Sequence, residues 1–411
     1  MDIHLQKSSI VNCQPTIQIT GSKSESNRLL LLKALYPQIL IKNLSNSDDS
    51  VIMHNALQSS NNSIDVHHTG TAMRFLTAYF AIQQEREITI TGSSRMKERP
   101  IKILVDALRD LGAEIEYVEN EGYPPLKIKG KLLTNNKVTL KANVSSQYIS
   151  ALLLIASKLK NGLELTLNGK ITSVPYIRMT LNLLNKIGIE TCFNKNIIFV
   201  KPLKQKPIPK TLTVESDWSS VSYFYSMVAL SKTGTQITLT FYRKDSLQGD
   251  SILAKIYKQF GVITTFNGDS IILQKSSNVN QKSLINLDLS DTPDIAQTIA
   301  VTVFGLGQEC KLLGLHTLKI KETDRLVALK TELEKLGASV KITQNTLQLK
   351  ASKIINSDIS IETYNDHRMA MAFAPLGLKT SINIKNAEVV SKSYPQFWEH
   401  LRTIGFNSST Y

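Results

Sequence analysis

Leu329–Thr343 reads LKTELEKLGASVKIT, and the order of its parts decides the fold. Leu329, Leu333 and Leu336 recur at helical spacing, Gly337 stands where a helix C-cap belongs, and the residues after it alternate as a strand does. Those signals dictate an amphipathic helix, a capping glycine and a half-buried strand. The same phrase occurs at Leu104–Asn120, Leu181–Asn194 and Leu253–Asn267, with capping glycines Gly112, Gly188 and Gly261. LRTIGF supplies a degenerate copy at Gly405, and Val51–Val66 reads as a shortened first copy.

The glycines are spaced by roughly 70 residues, longer than a solenoid period, so each module is a small α/β unit with its own strands and helices. Further strand-like runs fill the intervals: Pro15–Thr20, Ile88–Thr91, Lys137–Lys141, Leu163–Leu167, Thr235–Thr240 and Ser381–Ile384. Six modules predict two pseudo-symmetric domains of three. The boundary is expected in the Lys/Pro-rich stretch ending near Pro209, or in the strand after it. A single large sheet is the alternative, but the repeat and the missing GxGxxG argue against a doubly wound dinucleotide fold.

Composition agrees with two ordinary domains in a chain of 411 residues, 42% hydrophobic and 20% charged. The net charge of +14 points to nucleic acid, an anionic membrane or acidic small molecules. Part of it is surface lysine, as in KPLKQKPIPK (Lys201–Lys210). A nucleic-acid binder would interleave aromatic platforms with its cations. Aromatics make up 7% of the chain and form no such pattern. Cys13, Cys192 and Cys310 lie far apart without metal-ligand spacing, which fits a reducing compartment and predicts no zinc site. MDIHLQKSSI carries no export or transit signal, and apolar runs such as Ile149–Ala156 are too short for a bilayer. The expectation is a soluble cytoplasmic protein.

Polar clusters stand directly ahead of helical runs ten times. Among them are Gly21–Arg28 (GSKSESNR), Thr69–Arg74 (TGTAMR), Arg95–Pro100 (RMKERP), Ser145–Tyr148 (SSQY) and Ser173–Arg178 (SVPYIR). Later come Ser216–Ser220, Asp245–Asp250, Thr292–Asp294, Lys321–Arg325 (KETDR) and Tyr364–Arg368 (YNDHR). A helix N-terminus offers unpaired N–H groups and the positive end of a dipole. Many such ends bearing Lys, Arg, Ser and Gln point to a small, multiply anionic substrate. Taken singly, each cluster is also a capped surface helix with i to i+4 ion pairs.

Taken in order, GSKSESNR, GTAMR, RMKERP, SSQY, KETDR, NDHRMAM and SKSYPQF resemble the 5-enolpyruvylshikimate-3-phosphate (EPSP) synthase family, from about Pro15 to about Leu401. The resemblance implies an α/β fold of two pseudo-symmetric domains. Each is three βαβαββ units forming an inside-out α/β barrel, with the active site in the interdomain cleft. Residues 1–20 would belong with the C-terminal domain, 216–411, and residues 21–215 would form the N-terminal one. It further implies transfer of the enolpyruvyl group of phosphoenolpyruvate to the 5-hydroxyl of shikimate 3-phosphate. No metal, cofactor, nucleic acid or membrane is implied, and the expected state is a monomer.

By the same resemblance, Lys23, Ser24 and Arg28 bind shikimate 3-phosphate, together with Ser145, Ser146, Gln147, Ser173, Asp294 and Lys321, with Tyr176 close by. Lys23, Gly70, Arg95, Gln147, Arg325, Arg368 and Lys392 are implied for phosphoenolpyruvate, with His367 ranked below Arg368. Lys23, Asp294 and Glu322 are the implied catalytic groups: a proton shuttle, the base for the 5-hydroxyl, and the proton donor at the methylene carbon. Arg74 reads equally as a substrate cation or a structural ion-pair partner. Glu98 and Arg99 read as helix-start residues with Pro100 in the first turn. Two positions depart from the family pattern: His68 stands where Asn is common, and Thr317 replaces an Asn before KETDR, so Thr317 is left out of the site. UDP-N-acetylglucosamine enolpyruvyl transferase is the nearest rival, but its loop cysteine has no counterpart in Gly92–Arg95.

Overall fold

The repeated helix–glycine–strand phrase builds one sheet pattern again and again. In it two strands pair in parallel, and the second pairs antiparallel with a hairpin. Ser63–Asp65, Glu87–Thr91, Leu126–Lys129 and Glu114–Tyr117 form one such sheet. Lys137–Lys141, Leu163–Asn168, Ile197–Val200 and Thr191–Asn194 form the next. The repeat glycines adopt positive φ, for example 103° at Gly112 and 98° at Gly337, where a side chain would be strained. A computed structural model describes residues 1–10, 15–142, 145–169, 171, 173–203, 209–277 and 284–411; Cys13 and the middle of the Lys201–Lys210 run lie outside the described residues.

Contacts divide the chain into two compact units, Ser22–Val214 and Met1–Gly21 with Glu215–Tyr411. In Ser22–Val214 the helices are the interior. These are α1 (Lys23–Leu35), α2 (Gly70–Ala81), α3 (Ser146–Ala156) and α4 (Val174–Lys186), and α1, α2 and α3 touch one another. From Tyr148 onward every residue of α3 is buried, as its near-continuous apolar sequence requires. Strands outside them show the alternation of one-sided burial, as in KVTLK at Lys137–Lys141. The third sheet of this unit has two parallel strands among the described residues, Ile39–Lys42 and Lys210–Thr213.

Among the described residues, the other unit contains three four-stranded sheets. Its central helices are α5 (Trp218–Leu230), α6 (Ala296–Gly305), α7 (Arg325–Lys335) and α8 (His367–Phe373). Thr16–Ile17 pairs in parallel with Thr238–Leu239, and Ile3–Leu5 lies between Ile382–Ile384 and Ser408–Thr410. Ile3, Leu5, Ile17 and Ile19 are consequently part of this unit's core. One repeat helix departs from the pattern: Gly249–Phe260 is a short α segment flanked by 3-10 turns rather than a continuous helix.

Candidate active site

Charged side chains from four separate segments meet in the Glu215–Tyr411 part of the chain. Arg325 opens α7 and is only 2% exposed. Its Nε donates to Asp366 Oδ2 at 2.6 Å, one terminal nitrogen to Asp294 Oδ1 at 3.1 Å, and the other to Glu322 Oε2 at 2.8 Å. Burial works against this charge, but Asp366, Glu322 and Asp294 outweigh it and hold the guanidinium above its ordinary pKa. Arg368 donates to the Asp294 carbonyl at 3.0 Å and pairs with Asp294 Oδ2 at 3.2 Å. Lys392 reaches Glu322 Oε1 at 2.7 Å, and Lys321 stands 3.5 Å from Asp294 Oδ1. Burial lowers the pKa of Lys321, an effect Asp294 opposes.

Local structure explains how each group arrives. Asp294 sits in a 3-10 turn, Pro293–Ile295, directly ahead of α6. The KETDR segment is not one helical turn: Asp324 accepts N–H bonds from Leu326 and Val327, so the helix starts at Arg325 and Lys321 and Glu322 precede it. Aspartate favours that capping position. Asp366 caps α8 by accepting the Arg368 N–H at 2.9 Å, and His367 is 1% exposed beside it. Behind Asp294 lies Asp250, 3% exposed and bonded to the Ser219 hydroxyl. Burial first, then the Asp294 charge, pushes its pKa up to about 7.

The Ser22–Val214 unit holds a second group. Lys23 begins α1 and pairs with Asp49 at 3.2 Å. Arg28, 3% exposed, donates to Thr180 Oγ1 at 2.8 Å, Ser150 Oγ at 2.9 Å and the Ser24 carbonyl at 2.7 Å, tying α1 to α3 and α4. Burial lowers its pKa to about 10, which leaves it cationic at neutral pH. Ser145 caps α3 through the Gln147 N–H, and the Gln147 side chain donates to Thr71 Oγ1 at 3.1 Å, next to Gly70. A Cβ on Gly70 would lie 2.7 Å from the Arg99 guanidinium. Ser173 precedes α4 with φ 56°. Arg95 is exposed and pairs with Glu98 at 2.8 Å. Arg74 donates to the Gly70 and Pro100 carbonyls, and His68 is exposed. Glu98 and Arg99 do not start a helix: they follow the short helix Ser94–Lys97, which ends ahead of Pro100 because the residue before a proline avoids helical geometry. Pro100 itself lies before the next helix, Lys102–Asp110, rather than in its first turn.

The family model for EPSP synthase (3-phosphoshikimate 1-carboxyvinyltransferase) matches residues 52–401. The chain belongs to the EPSP synthase family. The 3-phosphoshikimate 1-carboxyvinyltransferase of Bacteroides fragilis strain YCH46 is 46% identical over 396 residues, covering 95% of each chain. That of Actinobacillus succinogenes is 36% identical over 431 residues, covering 96% of this chain and 98% of its own. An EPSP synthase structure from Acinetobacter baumannii superposes with a TM-score of 0.78 over 100% of both chains at 20% identity, which shows the shared fold.

For this EPSP synthase family member, the residues expected from sequence separate into two sets. Asp294, Lys321, Glu322, Arg325, Arg368 and Lys392 form one ionic network. Arg28 and Ser24 join through α1, and Gln147 reaches the start of α2, whereas Lys23 and Arg95 pair with Asp49 and Glu98. Sequence reasoning passed over Asp366 and Asp49. The aspartate ahead of HRMAM was a readable cap signal for Asp366; nothing local marked Asp49 as the partner of Lys23. Among the described residues, no group of three His, Cys, Asp or Glu side chains is arranged to hold a metal ion. No helix among them is long and apolar enough to cross a membrane.

Proposed function

We propose that this protein transfers the enolpyruvyl group of phosphoenolpyruvate to the 5-hydroxyl of shikimate 3-phosphate, releasing phosphate. The observation that carries the reading is the network of four cations and three carboxylates around Arg325, in a member of a family defined by this activity. In the addition, the 5-oxygen bonds to C2 of phosphoenolpyruvate while its proton leaves to Asp294 and Glu322 delivers a proton to the methylene carbon. In the elimination, the C2–phosphate oxygen bond breaks, phosphate departs, and the methyl group returns its proton. Lys23 shuttles a proton beside both substrates.

Arg325, Arg368, Lys392, Arg95, Lys23, Gln147 and the Gly70 backbone bind phosphoenolpyruvate. Ser24, Arg28, Ser145, Ser146, Gln147, Ser173, Lys23 and Lys321 bind shikimate 3-phosphate. Fixed cations of this kind stabilise the charge of the tetrahedral intermediate without reorganising. Ser22–Val214 serves as the N-terminal transferase domain and Met1–Gly21 with Glu215–Tyr411 as the C-terminal one. The protein acts as a cytoplasmic monomer. Phosphate release tests the reading. It should require both substrates and persist in EDTA; release with either one omitted, or lost to EDTA and restored by a divalent ion, would refute it.

A further inference from the structure

Glu332 lies seven residues after Arg325 on α7, two turns along the same face. It is 0% exposed. One carboxylate oxygen accepts the Tyr364 hydroxyl at 2.6 Å and the other accepts the Glu362 N–H at 3.1 Å, while Lys335 Nζ lies within 2.9 Å of both. What it grips is a strained turn. Tyr364 and Asn365 both have φ 53°, two consecutive non-glycine residues in the left-handed region. Such residues are strained and persist only where the surroundings hold them.

The next residue is Asp366, whose N–H donates to the Thr363 carbonyl at 2.8 Å. Its carboxylate takes Arg325 and caps α8 at Arg368. Helix α7 therefore grips residues 362–366 at two points, Arg325 on Asp366 and Glu332 on Glu362 and Tyr364. We infer that Glu332 and Tyr364 form a clamp that sets the turn ahead of Asp366, making Glu332 a positioning residue for the Arg325–Arg368 pair. The clamp rests on the reading of those arginines as the phosphoenolpyruvate site. A purely structural Glu332, paired with Lys335 at the end of α7, would affect stability without favouring one substrate.

Steady-state kinetics of Tyr364→Phe and Glu332→Gln decide between these. Tyr364 is 37% exposed, so losing its hydroxyl leaves the core packing unchanged. The KM for phosphoenolpyruvate should rise about 5- to 10-fold in both variants, with the KM for shikimate 3-phosphate within about twofold of the parent. The double variant should be no worse than the worse single one, because both changes act on one hold on the turn: Tyr364→Phe removes a donor to Glu332, and Glu332→Gln leaves one acceptor oxygen where Tyr364 and Glu362 need two. An unchanged KM for phosphoenolpyruvate, or a loss in all parameters that tracks a lowered Tm, would overturn the clamp. Arg368→Ala separates the two levels of argument. If it raises that KM while the clamp variants do not, the clamp alone is wrong; if it does not, the ligand reading falls and the clamp's role with it.

Discussion

Arg325 and Asp366 form a two-pronged pair: Nε to Oδ2 at 2.6 Å and a terminal nitrogen to Oδ1 at 3.3 Å, with the side chains 2% and 0% exposed. The same carboxylate caps α8. Removing one partner of a buried pair leaves an uncompensated charge, at a cost of about 3–5 kcal/mol. Asp366→Ala should therefore lower the urea midpoint markedly and abolish most activity, and Asp366→Asn should retain more of both. A parental midpoint in Asp366→Ala would show that the pair contributes little.

Asp294→Asn and Glu322→Gln preserve shape while removing a proton acceptor. Each should lower kcat by on the order of 10²-fold or more, the usual scale for general acid–base groups. Ligand titration should still show both substrates bound. Near-normal kcat in either variant removes that residue from the proton path.

The two sets of side chains should divide the substrates. Arg368→Ala and Lys392→Ala should weaken phosphoenolpyruvate by about tenfold or more, the scale of a lost charged contact. Ser146→Ala should chiefly weaken shikimate 3-phosphate. Arg28→Ala should do the same and also destabilise, since Arg28 ties α1 to Thr180 and Ser150. The reverse pattern in paired titrations would refute the division.

Asp250 should make stability pH-dependent. Its folded-state pKa is raised to about 7 from an ordinary 3.8, so the folded protein holds a proton that the unfolded chain releases. Its contribution is complete below the unfolded value and is lost as pH rises toward about 7. The full effect is at most about 4 kcal/mol. Asp250→Asn should flatten the fall in unfolding free energy between about pH 4 and 7. Parallel curves for parent and variant would show that Asp250 is ionised throughout.

Local sequence by itself determined the helix–glycine–strand modules, the burial of helices such as α3 and α6, and the family. Periodicity, caps and ordered motifs are near-neighbour properties, readable without coordinates. Boundaries were less legible where a cap competed with a helical pattern: Asp324 moved the start of α7 past Lys321 and Glu322. Tertiary structure alone decided which charges meet. Asp294, the Glu322–Arg325 stretch, Asp366 and Lys392 come from four separate segments, and the pairing between segments follows from how α6, α7 and α8 pack. It likewise decided that Lys23 faces Asp49, that Glu332 holds Tyr364, and that Ile3–Leu5 fills a sheet with strands near the opposite end of the chain. Those partners lie tens to hundreds of residues apart, where no sequence period reaches, and only burial and charge neutralisation in the folded chain select them.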